Sequence, residues 1–329
     1  MFQSNILAID LGSSYTRIFA PPKGIAYQGM SFAAKDFYEK HLADTDMQQL
    51  LRRLLPGLSI VRPIREGVIA DFDTACAHLG NVLGALESVQ KNRPLKAVMT
   101  VKKDITEMDR EAFGELAKEM HVRELFLMDS ILAAAMGAGV DIRSPKGSLI
   151  VDVGGGKTQA AVVAFSDTIS YLSARVGGDT MDLAVSEKVL KEYEILIGAQ
   201  TACTAKKCMD LQTMELKGRD TRLGIPASVR ISGEFIREAV QPVLEQIAEM
   251  VRALLAQTPP ELLGDVVKTG LYLTGGCAYL SHLVQALQEK TGLQVRVPEN
   301  PEQAVINGAG QTAQKIFAPS ETQERKLLA

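Results

Sequence analysis

Short apolar runs alternate with amphipathic segments along this chain of 329 residues. The apolar runs predict strands over residues 6–9, 16–19, 97–101, 125–128, 149–152, 160–165, 168–174 and 271–273. Apolar positions at helical spacing predict helices over residues 71–90, 106–120 and 232–257. Strands that alternate with helices indicate an α/β fold in which helices pack on the faces of sheets.

Two of these helices carry local signals of their own. Thr106 is placed as an N-cap, and Asp109 follows three residues later, as in a capping box. Pro242 lies inside the third helix, where its missing N–H predicts a break or a kink.

One pattern occurs twice, an apolar strand followed by Asp-x-Gly-x-x-x-Thr. The first copy runs from Asp10 to Thr16 and the second from Asp152 to Thr158, and each returns into another apolar run. Each copy therefore predicts a β-hairpin whose glycine lets backbone N–H groups approach a phosphate, with the Asp placed to hold a hydrated metal. A tight hairpin without a ligand is the alternative for either copy alone. The duplication favours two related halves that close over a nucleotide.

Two more glycine-rich turns follow predicted strands. Residues 177–179 precede a helix expected to begin near Met181, and a helix N-terminus favours an anion. Residues 275–277 would offer a bare backbone surface to a flat adenine. Tight packing of strand against helix is the alternative explanation for each turn.

Composition narrows the class of protein. Hydrophobic residues make up 46% and charged residues 23%, which is typical of a soluble globular chain, and a net charge of −3 gives no sign of a nucleic-acid partner. The cysteines and histidines lack metal-ligand spacing, so we expect reduced thiols and a cytoplasmic location. The sequence has neither a secretion signal nor an apolar run of the roughly 20 residues that span a bilayer. Met1 and Phe2 form either an apolar tip that touches a membrane or an ordinary frayed terminus.

Further motifs carry a resemblance to a known family. Residues 62–72 read RPIREGVIADF, residues 133–139 read AAAMGAG and residues 257–262 read QTPPEL. Together with the two hairpins and residues 175–179, these motifs resemble the actin-fold ATPases, and within them the MreB-type bacterial actins, from about residue 6 to residue 313.

The resemblance implies an α/β actin-like ATPase fold with two related domains, each built from a larger α/β subdomain and a smaller one. The first domain would span residues 1–147, with a small inserted subdomain at about 31–61. The second would span residues 148–318, with a small subdomain at about 183–235, and residues 319–329 would form a polar tail.

The resemblance also implies a site for ATP or ADP with Mg²⁺. Asp10 and Asp152 would orient the metal through water, and Lys206 would lie beside the adenosine. The remaining expected contacts fall on four segments: the first phosphate loop is Gly12, Ser13, Ser14, Tyr15 and Thr16, the second is Gly154, Gly155, Gly156 and Lys157, the hinge is Gly177, Gly178 and Asp179, and the adenine side is Gly275, Gly276 and Cys277.

The chain departs from the family pattern where hydrolysis would occur. Ser130 replaces the Glu that positions the attacking water, Lys157 replaces a Thr that orders the same water, and Gln159 replaces the Glu that follows. Cys208 stands where a ribose-binding Glu is expected, and Asp129 is the nearest substitute for the lost catalytic Glu. Loss of a water-orienting residue costs about 10²–10⁴-fold in rate, so we predict weak or absent ATP hydrolysis.

Lys157 leaves two possibilities open. Its charge could strengthen phosphate binding, or it could occupy the site in place of Mg²⁺ or the nucleotide. The turns could also be an inherited scaffold that binds no nucleotide.

The function implied by the resemblance is that of a cytoskeletal protein that assembles head to tail into filaments. Its role would be in cell shape or intracellular organisation, in the cytoplasm and at the inner face of the membrane. Membrane-anchored shape or scaffold proteins would be its partners, and it would bind no nucleic acid. A non-polymerising scaffold or adaptor of the same fold is the alternative. A small-molecule kinase is disfavoured, because no kinase-type motif is visible.

Overall fold

The computed structural model describes residues 5–35, 59–87, 89 and 93–317. The chain divides into two compact units. Unit 1 combines residues up to 142 with those from 303 onward, and unit 2 comprises residues 143–302.

Unit 1 contains nine described strands and four described helices. The strands are β1 (Asn5–Leu11), β2 (Tyr15–Ala20), β3 (Gly24–Met30), β4 (Ala33–Lys35), β5 (Ser59–Val61), β6 (Ile64–Arg65), β7 (Val68–Ile69), β8 (Leu95–Val101) and β9 (Val122–Asp129). The helices are α1 (Phe72–Ala85), α2 (Glu107–Glu119), α3 (Ser130–Gly137) and α9 (Ala304–Phe317).

Unit 2 contains a second set of strands and helices. The strands are β10 (Ser148–Val153), β11 (Thr158–Ala164), β12 (Asp167–Ala174), β13 (Ile195–Leu196), β14 (Thr213–Asp220), β15 (Pro226–Ser232), β16 (Leu271–Thr274) and β17 (Val295–Arg296). The helices are α4 (Gly178–Tyr193), α5 (Ala199–Lys207), α6 (Gly233–Gln257), α7 (Pro260–Thr269) and α8 (Ser281–Thr291), with a 3₁₀ turn at Gly276–Tyr279. A second 3₁₀ turn, Pro301–Gln303, spans the end of unit 2 and the return of the chain to unit 1.

The main sheets of the two units share one topology. In unit 1 the strand order is β3-β2-β1-β8-β9, where β1 is antiparallel to β2 and parallel to β8. In unit 2 the order is β12-β11-β10-β16-β17, where β10 is antiparallel to β11 and parallel to β16. Strand β10 therefore takes the place of β1, and β16 takes the place of β8. A smaller sheet, β13-β14-β15, lies within the expected subdomain at 183–235.

The division into units differs from the expected boundary at 147/148. Residues 143–147 belong to unit 2, and α9 belongs to unit 1 although it follows the whole of unit 2 in sequence. Helix α9 packs on α3, where the missing side chain of Gly308 lets its backbone lie against that of Ala133. Small residues at this crossing thus fix the last helix to the first unit.

The predicted elements are largely found. Each predicted strand lies inside an observed one, except that Phe165 falls in the turn after β11. The capping box of α2 is also present, because Thr106 Oγ1 accepts from the Asp109 N–H and Asp109 Oδ2 accepts from the Thr106 N–H, both at 3.1 Å.

Three helix predictions need correction. Helix α1 ends at Ala85 rather than residue 90, because Leu86 adopts an extended conformation. Helix α4 begins at Gly178, three residues before Met181. Helix α6 runs unbroken through Pro242, so the prediction of a break is wrong. Its apolar stripe is buried in the core of unit 2, and that burial offsets the hydrogen bond lost at the proline.

Some predictions lie on residues outside the described ranges. The inserted segment at 31–61 is described only at its flanks, where β4 pairs with β5. Residues 1 and 2 and the tail at 319–329 also lie outside the described residues. Among the described helices, none is long and apolar enough to cross a bilayer.

Candidate functional site

The first hairpin of the repeated pattern joins β1 to β2. Asp10 lies near the end of β1 and is half-buried, and its Oδ1 accepts a hydrogen bond from Thr100 Oγ1 at 2.7 Å. The turn closes through a bond from the Gly12 N–H to the Tyr15 carbonyl at 3.0 Å. The hairpin therefore presents a carboxylate whose first oxygen is already held by a neighbouring strand.

A buried polar cluster supports this hairpin from behind. Thr16 Oγ1 lies 2.8 Å from Ser31 Oγ and 2.9 Å from His78 Nε2, and all three side chains are buried. The Ser31 N–H also donates to the Ser14 carbonyl at 3.0 Å. Because buried hydroxyl groups are costly unless they are bonded, this cluster fixes the end of the turn.

The candidate catalytic position of unit 1 lies where β9 meets α3. Asp129 ends β9 and forms an ion pair with Lys103, with Oδ2 3.2 Å from Nζ. Ser130 is the first residue of α3 and is buried. The carboxylate that could replace the lost Glu is thus engaged by a lysine, and the replaced position itself carries only a hydroxyl.

The second hairpin repeats the arrangement of the first in unit 2. Asp152 is 7% exposed, and its Oδ1 accepts from Thr274 Oγ1 on β16 at 2.9 Å. The turn closes through a bond from the Gly154 N–H to the Lys157 carbonyl at 2.9 Å. Residues 154–157 are only partly buried, so an anion could reach part of this turn.

The turn of unit 2 rests on the start of α4. The Gly178 N–H donates to the Gly154 carbonyl at 3.0 Å, and the Asp179 N–H donates to the Gly155 carbonyl at 2.8 Å. A Cβ on Gly177 would lie 2.5 Å from the Gly155 carbonyl oxygen, so only glycine fits there. Because the N–H groups of Gly178 and Asp179 are already bonded, a phosphate bound here would be contacted by the turn rather than by these two groups.

A buried ion pair lies directly beneath Gly178. Lys206 Nζ lies 2.8 Å from Asp182 Oδ1 and donates to the Gly178 carbonyl, also at 2.8 Å. Burial alone would lower the pKa of Lys206, but the Cys277 sulfur and the Asp182 carboxylate outweigh burial and raise it. Burial raises the pKa of Asp182, and Lys206 opposes that rise. Lys206 is therefore a cation with most of its donors already engaged.

The adenine-side segment closes the same cluster. Gly275 has a φ of +88°, which favours glycine, and a Cβ there would collide with the Val153 carbonyl. Cys277 Sγ lies 3.5 Å from the Gly154 carbonyl oxygen, and burial raises the pKa of this thiol to about 11. Gly276 is exposed, with open space where a side chain would project. This bare backbone is compatible with a flat ring.

The other replaced residues of unit 2 lie on different elements. Gln159 is fully buried, pairs with Asp152 across β10 and β11, and accepts from the Tyr171 hydroxyl at 3.0 Å. Cys208 is the C-cap of α5. Cys203 is one of the groups that raise the pKa of Lys206. Position 159 thus carries a neutral amide, bonded to the Tyr171 hydroxyl, in place of the expected carboxylate.

Each unit therefore assembles its own share of the predicted residues. Unit 1 holds residues 10–16 and 129–130, and unit 2 brings residues 154–157, 177–179, 206 and 275–277 into one cluster. Sequence reasoning missed the groups that support them, namely Thr100, Thr274, Ser31, His78 and Asp182. The signal for Thr274 was available, because it directly precedes Gly275-Gly276 at the end of a predicted strand. The contacts of the other four residues depend on which strands pair and which helices pack together.

A family model described as MreB/Mbl protein matches residues 4–321 of the chain. The cell shape-determining protein MreB of Escherichia coli (strain K12) is 34% identical over 327 residues, covering 95% of this chain and 94% of that protein. The cell shape-determining protein Mbl of Bacillus subtilis (strain 168) is 32% identical over 322 residues, covering 94% of this chain and 96% of that protein.

Two solved structures are similar to this chain over nearly its whole length. MreB 5 of Spiroplasma citri bound to AMPPNP matches with a TM-score of 0.87 at 27% identity, covering 98% of this chain and 97% of that chain. The MamK double helical filament matches with a TM-score of 0.75 at 19% identity, covering 94% of this chain and 98% of that chain. These likenesses confirm the expected actin-like fold.

Proposed function

The chain belongs to the MreB/Mbl family, and from that premise we propose that it is a cell-shape protein that assembles head to tail into filaments. The whole-length match to two cell shape-determining proteins carries this proposal. MamK, which shares the fold, has been solved as a double helical filament. Repeated head-to-tail contacts between identical subunits give open polymers. We place these filaments in the cytoplasm at the inner face of the membrane, with membrane-anchored shape proteins as partners.

Sedimentation over a range of protein concentrations, combined with negative-stain electron microscopy, tests assembly. We expect a critical concentration above which protein pellets and filaments are visible. Protein that stays in the supernatant at all concentrations, with and without ATP and Mg²⁺, would contradict the filament proposal. A non-polymerising scaffold would then be the better account.

The second part of the proposal is a site for ATP or ADP with Mg²⁺. The duplicated turn supports it, because each unit presents an Asp carboxylate that a threonine hydroxyl holds in place, and carboxylates are the ligands that bind hydrated Mg²⁺. In unit 2 the half-exposed turn at 154–157 offers N–H groups of the kind that bind phosphate. MreB5 of Spiroplasma citri has been solved with AMPPNP and with ADP. Mg²⁺ would neutralise phosphate charge, and Asp10 and Asp152 would each hold its water ligands.

The third part is that hydrolysis is weak. Ser130 is buried and cannot act as a carboxylate base, while Asp129 is paired with Lys103. Gln159 is neutral and bonded to Tyr171. Phosphoryl transfer to water depends on positioning and charge stabilisation, and these substitutions remove the positioning groups.

Binding of a fluorescent ATP analogue with Mg²⁺, followed in the same samples by phosphate release, tests both parts. We expect saturable binding with negligible release, and we expect the double variant Ser130→Glu, Lys157→Thr to release phosphate faster. Rapid release by the wild type would contradict the weak-hydrolysis proposal. A lack of binding at saturating analogue would refute the nucleotide site and favour a nucleotide-free scaffold.

A further inference from the structure

We propose that Thr100 and Thr274 are positioning residues that hold the carboxylates of Asp10 and Asp152 in the orientation needed for a hydrated Mg²⁺. The inference rests on the proposed nucleotide and metal site. Thr100 Oγ1 donates to Asp10 Oδ1 at 2.7 Å, and Thr274 Oγ1 donates to Asp152 Oδ1 at 2.9 Å. The same pair of groups thus meets once in each unit.

The two pairs occupy equivalent places in the two sheets. Asp152 on β10 is directly in register with Thr274 on the neighbouring parallel strand β16. In unit 1 the register pairs Ile9 of β1 with Met99 of β8, which brings the next residues, Asp10 and Thr100, alongside each other. No local sequence motif links the partners, which are separated by 90 residues in unit 1 and 122 residues in unit 2. The topology alone produces the repeated contact.

The chemistry of the pair suits a carboxylate that must also serve a metal. A threonine hydroxyl has one proton, and a bond to a charged carboxylate is stronger than a bond to a neutral acceptor. Thr274 has the Val151 carbonyl as an alternative acceptor at 3.4 Å, but the Asp152 oxygen is closer. Each bond holds one carboxylate oxygen and so restricts rotation of that carboxylate relative to the turn.

The burial of the threonines makes the arrangement rigid. Thr100 is 5% exposed and Thr274 is fully buried, so solvent cannot take over the donor role. A β-branched side chain in a strand also has restricted rotation about its first torsion. Groups that orient metal ligands typically change metal affinity by about 10–100-fold when they are removed. We expect an effect of that size for each threonine.

The variants Thr100→Val and Thr274→Val test the inference, because valine keeps the shape and removes the donor. Binding of a fluorescent ADP analogue is titrated with Mg²⁺, and its affinity is also measured in EDTA. We expect the Mg²⁺ midpoint to rise about 10–100-fold while the affinity in EDTA changes little. Thr100→Ser and Thr274→Ser should restore the wild-type midpoint, because serine keeps the hydroxyl.

Thr258→Val is the matched control, since Thr258 is buried and its hydroxyl donates to a backbone carbonyl, that of Leu254 at 2.9 Å. The control should leave the Mg²⁺ midpoint unchanged. An equal loss of affinity with Mg²⁺ and in EDTA, or an unchanged Mg²⁺ midpoint, would overturn the inference.

A separate readout distinguishes failure of the inference from failure of the proposed function. If the wild type binds no nucleotide analogue, the proposed function fails, and Mg²⁺ binding to the nucleotide-free protein is then measured by calorimetry. Weaker Mg²⁺ binding by the valine variants than by the wild type would still support the positioning role. Equal Mg²⁺ binding, or none by any of these proteins, would overturn it.

Discussion

The turn at residues 12–16 in unit 1 and the turn at residues 154–158 in unit 2 close in the same way, with a glycine N–H bonded to the carbonyl three residues on, at 3.0 and 2.9 Å. Each turn follows an Asp that accepts from a Thr on the neighbouring parallel strand. Behind the turns the two units differ. Thr16 in unit 1 is held by the side chains of Ser31 and His78.

In unit 2, Thr158 Oγ1 instead donates to the Val176 carbonyl at 2.7 Å. The turn carbonyls accept from the first N–H groups of α4, and Lys206 bonds the Gly178 carbonyl from below. One turn is thus supported by side chains, and the other by backbone and a buried ion pair. Strand order therefore fixes where the Asp and the turn lie in each unit, whereas the groups that support the turn differ between the units.

The largest expected effect comes from breaking the ion pair beneath the turn of unit 2. Lys206→Met leaves the Asp182 carboxylate without its cation in a site where the side chains of Lys206 and Asp182 are 6% and 15% exposed. Breaking a buried pair from one side typically costs about 3–5 kcal/mol in the free energy of unfolding. Urea unfolding of the variant and the wild type measures that difference.

The double variant Lys206→Met, Asp182→Leu is the control for this prediction. It removes both charges together, so it should recover most of the lost stability. A single variant as stable as the wild type would show that the ion pair does not support α4.

The turns that the two units share could be predicted from the sequence, whereas the groups that support them could not. The Asp and glycine residues of both turns follow from a local repeat, and every predicted strand was found. The supports could not be predicted, because Thr100 and Asp182 reach their partners only after parallel strands pair and α4 faces α5. Likewise α9 joins unit 1 through packing on α3, a contact between residues far apart in sequence. Local patterns give elements and turns, whereas long-range pairing decides which side chains hold them.

The second prediction compares the first glycine of each turn. A Cβ on Gly12 would lie 2.7 Å from the Tyr15 carbonyl oxygen, whereas a Cβ on Gly154 would lie 3.4 Å from the Lys157 carbonyl oxygen. Gly12→Ala should therefore force the turn open and cost about 1–3 kcal/mol. Gly154→Ala is the matched control and should change the free energy of unfolding by less than about 1 kcal/mol. Equal losses measured by urea unfolding would contradict the difference between the turns.

The third prediction concerns the side-chain support of unit 1. His78→Leu removes one partner of Thr16 and should cost about 1 kcal/mol, the net value of a typical hydrogen bond. His78→Gln keeps a polar group near the position of Nε2 and should recover part of that loss. Thermal unfolding of the three proteins measures the order. If the leucine variant were at least as stable as the wild type, the cluster would contribute packing rather than hydrogen bonding.

The smallest expected effect near neutral pH concerns Cys277, whose sulfur lies beside the Gly154 carbonyl in the support of unit 2. Burial raises the pKa of this thiol from 9.0 to about 11, so the folded protein holds the proton more tightly than the unfolded chain does. The stability that Cys277 contributes is therefore complete below pH 9 and is lost as the pH rises through about 11. At pH 8 a thiol reagent should leave Cys277 unmodified in folded protein and label it after unfolding, as peptide mass spectrometry can show.

The variant Cys277→Ala removes this contribution to the pH dependence, so the wild type should lose more stability than the variant between pH 9 and 11. Identical losses in the two proteins, or rapid labelling of Cys277 at pH 8, would mean that the thiol is open to solvent and that the turn of unit 2 is less tightly held than its backbone contacts indicate.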